Sequence, residues 1–152
     1  MDNISPKIYV AILWHMHQPY YLPPNSNECI MPWVRLHCLK DYYDMPLLVE
    51  KVPGMKVTFN LVPSLLKQII DYTENRITDT YMILFSKTPE TLSHEEKKYI
   101  INNFFSTSHE HQVFTSPRYR ELLNKKRSGA KVESFSNQEL LDLQIHFELS
   151  WF

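Results

Sequence analysis

Glycine is scarce in this sequence: the 152 residues include only 2, Gly54 and Gly129. Average usage of roughly 7% would give about ten. The loops that cradle phosphates in P-loop proteins and in dinucleotide-binding folds need two or three glycines close together. Nucleotide binding by either device is therefore excluded.

Cysteine is also scarce, and the sequence has no long apolar run and no large excess of positive or negative charge. The 2 cysteines, Cys29 and Cys38, do not form a CxxC pair, and we expect them to be buried or incidental thiols. The longest apolar run covers residues 8–14, far short of the ~20 residues that span a bilayer, and no signal-peptide cleavage site follows it. We therefore expect a cytoplasmic protein without a membrane partner. The formal net charge of -1 argues against nucleic acid as a partner.

The remaining composition is that of a soluble globular chain of one or at most two domains, with 43% hydrophobic, 13% aromatic and 22% charged residues. Residues 8–14 are β-branched, aromatic and apolar, a pattern typical of a parallel strand buried on both faces. Residues 56–61 predict a second strand. A proline-rich loop, residues 19–31, follows the first strand.

Helices are expected between and after these strands. From Pro32 an apolar stripe recurs at spacings of three and four, and Pro46 should kink or end that helix. The stripe consists of Leu36, Leu39, Tyr43 and Leu47. After the second strand, Ser64 is the predicted N-cap of a helix that buries Leu65, Leu66, Ile69 and Ile70.

The second half of the sequence predicts mainly helices. Capping boxes occur at Ser93/Glu96 and Ser136/Glu139, and Ser116 with Pro117 begins a further helix. Residues 141–151 alternate apolar and polar as a strand would, but the capping box and the residue types favour a helix. The order of elements predicts an α/β fold with parallel strands and a helix-rich second half, whose remaining strands lie mostly outside this chain.

The last predicted helix carries an apolar end, Trp151 and Phe152, with no cap or polar tail after it. Exposing such a pair is unfavourable. We therefore expect residues 1–152 to be a single partial domain, the N-terminal segment of a larger catalytic domain, and the remainder of the parent chain to cover this end.

Polar side chains stand where the first predicted strand ends. Ligands of parallel α/β folds gather at the carboxyl ends of the strands, and His15, His17 and Gln18 follow residues 8–14 directly. Residues two apart on an extended backbone share a face, so His15 and His17 should face one cavity. Asn60 stands at the end of the second strand. The alternative is that the histidines are merely hydrogen-bonded surface groups.

Other candidate groups suggest different chemistry. The spacing His15-x-His17 also suits the first ligands of an amidohydrolase-like metal site. His109-x-His111 lies in a polar stretch typical of a solvated loop, and Asp41 and Asp44 are typical of a solvated or ion-paired helix face. Aromatic rings beside polar groups suit sugar recognition, although such rings are often simply core residues. They are Tyr20, Tyr21, Trp33, Tyr42 and Tyr43.

The segment from Trp14 to Tyr20, Trp-His-Met-His-Gln-Pro-Tyr, resembles the first sequence motif of glycoside hydrolase family 57. The resemblance continues through residues 31–37, 40–45 and 59–66, and shorter matches at residues 103–105, 117–119 and 142–144 keep the family's order. It therefore covers nearly the whole chain. Several clustered motifs make it much more specific than a lone His-Gln-Pro.

The resemblance implies an incomplete seven-stranded β/α barrel that cleaves or transfers α-glucan chains with retention. Family members include α-amylases, amylopullulanases, 4-α-glucanotransferases and branching enzymes. Retaining chemistry needs two carboxyl groups about 5 Å apart. The family's glutamate nucleophile and aspartate acid lie in later motifs, and we match none of the 17 acidic residues to them. We therefore assign no catalytic residue and expect this chain alone to be inactive.

The resemblance assigns substrate-binding roles to His17 and Gln18, with His15 beside them, and adds Trp33, Arg35 and Asn60 as further pocket candidates. The expected partner is an α-glucan or maltooligosaccharide. We predict no cofactor and assign no metal ligand. Two alternatives remain: an amidohydrolase-like metal enzyme that begins its ligand set with His15 and His17, and a stand-alone carbohydrate-binding or accessory domain.

Overall fold

A computed structural model describes residues 7–152. The strands are β1 (Leu13–Met16), β2 (Glu28–Cys29), β3 (Thr58–Leu61) and β4 (Thr78–Asp79). The α-helices are α1 (Trp33–Leu39), α2 (Asp41–Lys51), α3 (Pro63–Thr73), α4 (Thr80–Phe85), α5 (His94–Asn103), α6 (Pro117–Arg127) and α7 (Asn137–Leu149). Two short 3-10 turns, Pro89–Thr91 and Val132–Ser134, and a π-helical turn, His109–Val113, join the later helices.

Strands β1 and β3 pair in parallel, which confirms the predicted strand direction. Leu13 stands opposite Thr58, and His15 stands opposite Asn60. The first strand begins later than predicted, because residues 8–12 lie outside it and the side chains of Ile8, Tyr9 and Val10 are more than 80% exposed. The expectation of burial on both faces was wrong for the described chain, since Leu13 and His15 on one face of β1 are exposed.

Helices cover one face of this two-stranded sheet. Met16 of β1 is buried in a cluster with Val34 of α1 and Leu65 of α3, and Phe59 of β3 packs against the same cluster. The side chains that alternate with these, including Leu13, His15 and Asn60, are exposed. The sheet therefore has an apolar face under the helices and an open face that carries polar groups.

The helical segment after Pro32 differs from its prediction. It breaks at Lys40, whose backbone leaves the helical region (φ -119, ψ -87), and Pro46 lies inside α2 without ending it. The break changes the direction of the chain, so the predicted stripe does not continue: Leu36 is buried, but Leu39 and Tyr43 are exposed.

Helix α3 also turns a different face inward. It begins at Pro63 with Val62 as N-cap, two residues before the predicted cap Ser64. Leu65 is buried as predicted, but Leu66 and Ile70 are exposed, while Gln68 and Asp71 are buried. Polar partners in the loop after β1 explain this orientation, as described below.

A second parallel pair, β2 with β4, ties the loop after β1 to the chain following α3. The sequence predicted only loop at β2. The buried thiol of Cys29 lies in this pair, and Cys29 and Cys38 are both free cysteines, as expected.

Helices α4 to α7 enclose the larger apolar core. Its rings pack closely, with centroid separations of 5.1 Å between Tyr81 and Phe104 and 4.9 Å between Phe104 and Phe147. The predicted capping boxes at Ser93 and Ser136 are both present. Residues 137–149 form a helix, as favoured, because Leu140, Leu143 and Phe147 recur at helical spacing and are all buried. Within residues 7–152, no helix is long and apolar enough to span a membrane.

Candidate functional site

A hydrogen bond joins the ends of the two main strands on the open face of the sheet. The side-chain amide nitrogen of Asn60 lies 2.9 Å from Nδ1 of His15. An amide nitrogen only donates, so Nδ1 accepts and the proton of a neutral His15 ring sits on Nε2. The pair therefore presents an N–H donor from His15 at the open face.

His17 lies beside His15. Their rings stack with centroids 5.6 Å apart and planes 9° from parallel. Both side chains are exposed, and they share a face as the two-residue spacing predicted. Two imidazoles side by side offer adjacent hydrogen-bonding groups to one ligand.

Two tyrosines position the Gln18 side chain. Its Nε2 donates to the Tyr42 hydroxyl over 3.1 Å, and its Oε1 accepts from the Tyr21 hydroxyl over 2.9 Å. The Tyr42 hydroxyl also donates to the His17 carbonyl oxygen over 3.0 Å. Helix α2 thereby holds both the side chain of Gln18 and the backbone of His17.

Helix α3 fixes the same loop from the other side through Gln68. Its Nε2 donates to the Pro19 carbonyl over 2.8 Å, and its Oε1 accepts from the Tyr21 backbone N–H over 2.8 Å. The Ser64 hydroxyl donates to the Gln18 carbonyl over 2.9 Å. The sequence reasoning missed Gln68; the available signal was its position four residues after Ser64, on the same face of the helix.

The pKa values of the two tyrosines follow from this packing. Burial raises the pKa of Tyr21, and the nearby Tyr42 raises it further. Burial likewise raises the pKa of Tyr42, outweighing the hydrogen bond with Gln18, which lowers it. Both hydroxyls therefore stay protonated and act as hydrogen-bond donors at neutral pH.

Trp33 borders a cleft of about 410 Å³ that Gln18 and Tyr21 also line. Its ring lies 6.4 Å from His37 and 5.8 Å from Trp151, measured between centroids. The structure thus places Trp33 and Gln18 on one cleft, and His15, His17 and Asn60 together on the adjoining open face.

Arg35 has different partners. Its Nε donates to Asp79 over 2.8 Å and its Nη1 to Glu148 over 3.0 Å, with the side chain 14% exposed. Burial alone would lower the pKa of Arg35, but the hydrogen bonds and charges of Asp79 and Glu148 outweigh it and raise that pKa. The guanidinium joins α1 to α4 and α7, and these contacts do not bring it to His15, His17 or Asn60.

The most buried carboxylates of the described residues pair with basic side chains. Strands β1 and β3 carry no Asp or Glu. Asp79 and Glu148 are buried against Arg35, and Asp71 is buried with ion pairs to Lys67 and Arg76. Each of these carboxylates is paired with a basic side chain of the protein, which favours a structural role.

The remaining candidates have local partners. His109 lies in the π-helical turn, with its Nε2 3.2 Å from the Phe105 carbonyl oxygen and its Nδ1 3.1 Å from Nη2 of Arg127. Asp41 pairs with His37, as its ion-paired interpretation predicted. Residues 7–152 bring no three His, Cys, Asp or Glu side chains into a group that could hold a metal ion.

A family comparison now bears on the site. The sequence model of glycosyl hydrolase family 57 matches residues 11–152, which include both strand ends and the loop between them. The chain belongs to this family. A search of curated proteins and of solved structures finds no match.

Family 57 membership confirms the resemblance found in the sequence and supports a glycosidase-type enzyme. It favours this function over the amidohydrolase-like alternative. The mixed α/β architecture with short parallel strands and many helices fits the family.

Proposed function

We propose that this chain is the N-terminal part of an α-glucan-active retaining glycoside hydrolase or 4-α-glucanotransferase. In this proposal it supplies substrate-binding residues, and the two catalytic carboxylates come from elsewhere in the catalytic domain. The observation that carries the proposal is the polar end of β1 and β3, where His15, Asn60 and His17 stand together beside a rigidly held Gln18.

The chemistry of this face suits a neutral, hydroxyl-rich ligand. Imidazole and amide groups donate and accept hydrogen bonds without carrying a fixed charge. The Trp33 ring on the adjoining cleft supplies an apolar surface of the kind that stacks on the CH face of a pyranose. A sugar therefore matches the described groups better than an anion or a cation would.

Rigidity of the loop supports the same role. The three carbonyls that follow β1, those of His17, Gln18 and Pro19, all accept hydrogen bonds from side chains of α2 or α3. Binding groups on a fixed backbone lose little entropy when a ligand arrives. This loop thus has the preorganisation that a substrate-binding wall requires.

The fold we propose for the parent domain is an incomplete seven-stranded β/α barrel. Strands β1 and β3 would be two neighbouring barrel strands, with α1 and α3 on the outside and the open polar face towards the interior. The exposed apolar residues 8–12 are then the continuation of β1 within a completed sheet. We also propose that residues 1–152 form one partial domain and that the enzyme is cytoplasmic.

The test is an assay of two products side by side: this chain, and the full product of the coding sequence read beyond Phe152. Release or transfer of glucose units from maltooligosaccharides is measured for both. We expect activity from the longer product and none from residues 1–152. A reading frame that ends at Phe152, together with a chain that folds and binds glucan alone, would favour a stand-alone carbohydrate-binding domain instead.

A further inference from the structure

The cleft beside Gln18 contains an aromatic cluster in which Trp33 is joined by two further rings, those of Trp151 and His37. Trp33 and Trp151 lie with ring centroids 5.8 Å apart and planes tilted by 45°. The His37 ring stands edge-on to Trp151, at 5.2 Å and 81°. All three side chains are half-buried and line the same cleft.

His37 is held by a carboxylate. Its Nδ1 lies 2.5 Å from Oδ2 of Asp41, one helical turn further along the chain. A carboxylate accepts hydrogen bonds, so Nδ1 carries the hydrogen, and Nε2 of a neutral ring is left as an acceptor. A carboxylate behind an imidazole also fixes the ring's orientation and makes the other nitrogen a better acceptor. An O–H donor is the natural partner for that nitrogen.

The other polar groups around the cleft are uncharged. Gln18, the Tyr21 hydroxyl and the Thr107 hydroxyl face it from the neighbouring segments. The Asp41 carboxylate is hydrogen-bonded to His37, and the nearby Lys40 ammonium donates to the Ser150 carbonyl oxygen over 3.4 Å. Aromatic faces with neutral hydrogen-bonding groups suit a sugar, whereas a phosphate would call for free cations.

We propose that this cleft is a glucosyl-binding subsite distinct from the one formed by His15 and His17. Trp33 and Trp151 supply its aromatic walls, and the His37–Asp41 pair accepts a hydrogen bond from a sugar hydroxyl. The segment of the parent chain expected at this end would then cover the exposed Phe152 rather than Trp151. Tyr42 connects the two subsites, since its ring lies 6.0 Å from His37 and its hydroxyl donates to the His17 carbonyl. Adjacent units of one glucan chain would then occupy them. This inference rests on the proposed α-glucan function.

Tryptophan fluorescence provides a readout that does not depend on catalysis. The chain has 3 tryptophans, and Trp14 packs on Phe59 at 5.2 Å, outside the cleft. In a titration of the full-length protein with maltohexaose, we expect an emission change that persists in Trp14→Phe. The portion due to this chain should shrink in Trp151→Phe, where Trp33 is the one tryptophan of this chain left in the cleft.

Affinity for maltohexaose tests the hydrogen-bonding pair. We expect His37→Leu to raise Kd at least fivefold, and Asp41→Asn to raise it by a smaller factor because the ring stays in place without its carboxylate. His94→Leu is the matched control, since His94 forms an exposed pair with Glu133 at 3.5 Å, away from the cleft. It should leave Kd unchanged. Thermal unfolding checks that each variant is folded. If His37→Leu does not fold, the Kd of Asp41→Asn decides the test.

The outcomes separate this subsite from the general function. Wild-type affinity in His37→Leu, Asp41→Asn and Trp151→Phe, together with weakened binding in His17→Ala, would overturn the subsite and leave the proposed function intact. Absence of both maltohexaose binding and activity in the full-length wild-type protein would overturn both proposals.

Discussion

The side-chain amide of Gln68 donates a 2.8 Å hydrogen bond to the carbonyl oxygen of Pro19 from a position with no exposure to solvent. This contact joins the middle of α3 to the loop that follows β1. Together with the bond from the Tyr21 N–H to Oε1 of Gln68, it pairs the backbone of the loop on both sides of Tyr20. The loop that carries Gln18 is therefore positioned by a residue outside the recognisable motif.

Replacing Gln68 with leucine should lower the free energy of unfolding by about 2–3 kcal/mol, because the Pro19 carbonyl and the Tyr21 N–H would both lose the hydrogen-bond partner that the buried Gln68 side chain supplies. Urea unfolding of wild type and variant measures the difference. Gln138→Leu is the control, since Gln138 is exposed on α7, and it should change the free energy by less than about 0.5 kcal/mol. Equal effects of the two changes would argue against a positioning role for Gln68.

The ion pairs of Arg35 make a stronger stability prediction. Arg35→Leu leaves two buried carboxylates, Asp79 and Glu148, without their shared cation. Breaking such a buried arrangement typically costs about 3–5 kcal/mol. We expect the thermal midpoint to fall sharply, whereas Arg120→Leu, at an exposed position on α6, should leave it nearly unchanged. A small effect at Arg35 would show that the network is not structural.

The contact between Asn60 and His15 predicts a specific tautomer. In wild type, ¹⁵N chemical shifts of the neutral His15 ring should show the hydrogen on Nε2, because Nδ1 accepts from Asn60. In Asn60→Ala that preference should weaken, since Nδ1 loses its donor. The exposed His111 serves as the reference ring. A hydrogen on Nδ1 of His15 in wild type would contradict the site geometry.

These contacts show which parts of the structure the sequence could predict. The parallel pairing of β1 with β3, the capping boxes and α7 follow from local patterns of a few residues, and they were predicted correctly. The grouping of His15 with His17 follows from the two-residue period of a strand. The family was likewise recognisable from motifs such as His17-Gln18-Pro19.

Other features depend on residues far apart in the sequence. The inward face of α3 is set by Gln68, whose partners lie 47 and 49 residues away. The apolar pattern alone therefore predicted, incorrectly, that Leu66 and Ile70 are buried. The partners of Arg35 lie 44 and 113 residues away, so its ionic role left no signal in its own segment. The exposure of residues 8–12 depends on which strands lie beside β1. A local sequence pattern carries no information about those strands.

The capping box of α7 predicts a pH-dependent contribution to stability. Burial alone would raise the pKa of Glu139, but hydrogen bonds from Lys125 and Ser136 outweigh it, so the pKa is lowered from its ordinary value of 4.5. The charged form is therefore favoured in the folded state. Its contribution is fully present above pH 4.5 and is lost as the pH falls through the lower folded pKa.

We accordingly expect the stability difference between wild type and Glu139→Gln to be largest near neutral pH and to shrink as the pH falls from about 5 to about 3. Chemical unfolding at several pH values measures it. Glu110→Gln, at an exposed glutamate in the π-helical turn, is the control. A Glu139→Gln effect that stays constant over this range would contradict the assigned contacts.

The most direct test of the proposed site is the activity of His17→Ala in the full-length protein on maltooligosaccharides. We expect kcat/KM to fall at least tenfold, which corresponds to about 1.4 kcal/mol of lost transition-state stabilisation. The thermal midpoint should change little, because the His17 side chain is exposed and the hydrogen bond from Tyr42 is made to the His17 backbone carbonyl, which alanine keeps. His94→Ala should retain wild-type kinetics. Unchanged kcat/KM in His17→Ala would remove the end of β1 from the substrate site and contradict the proposed function of this face.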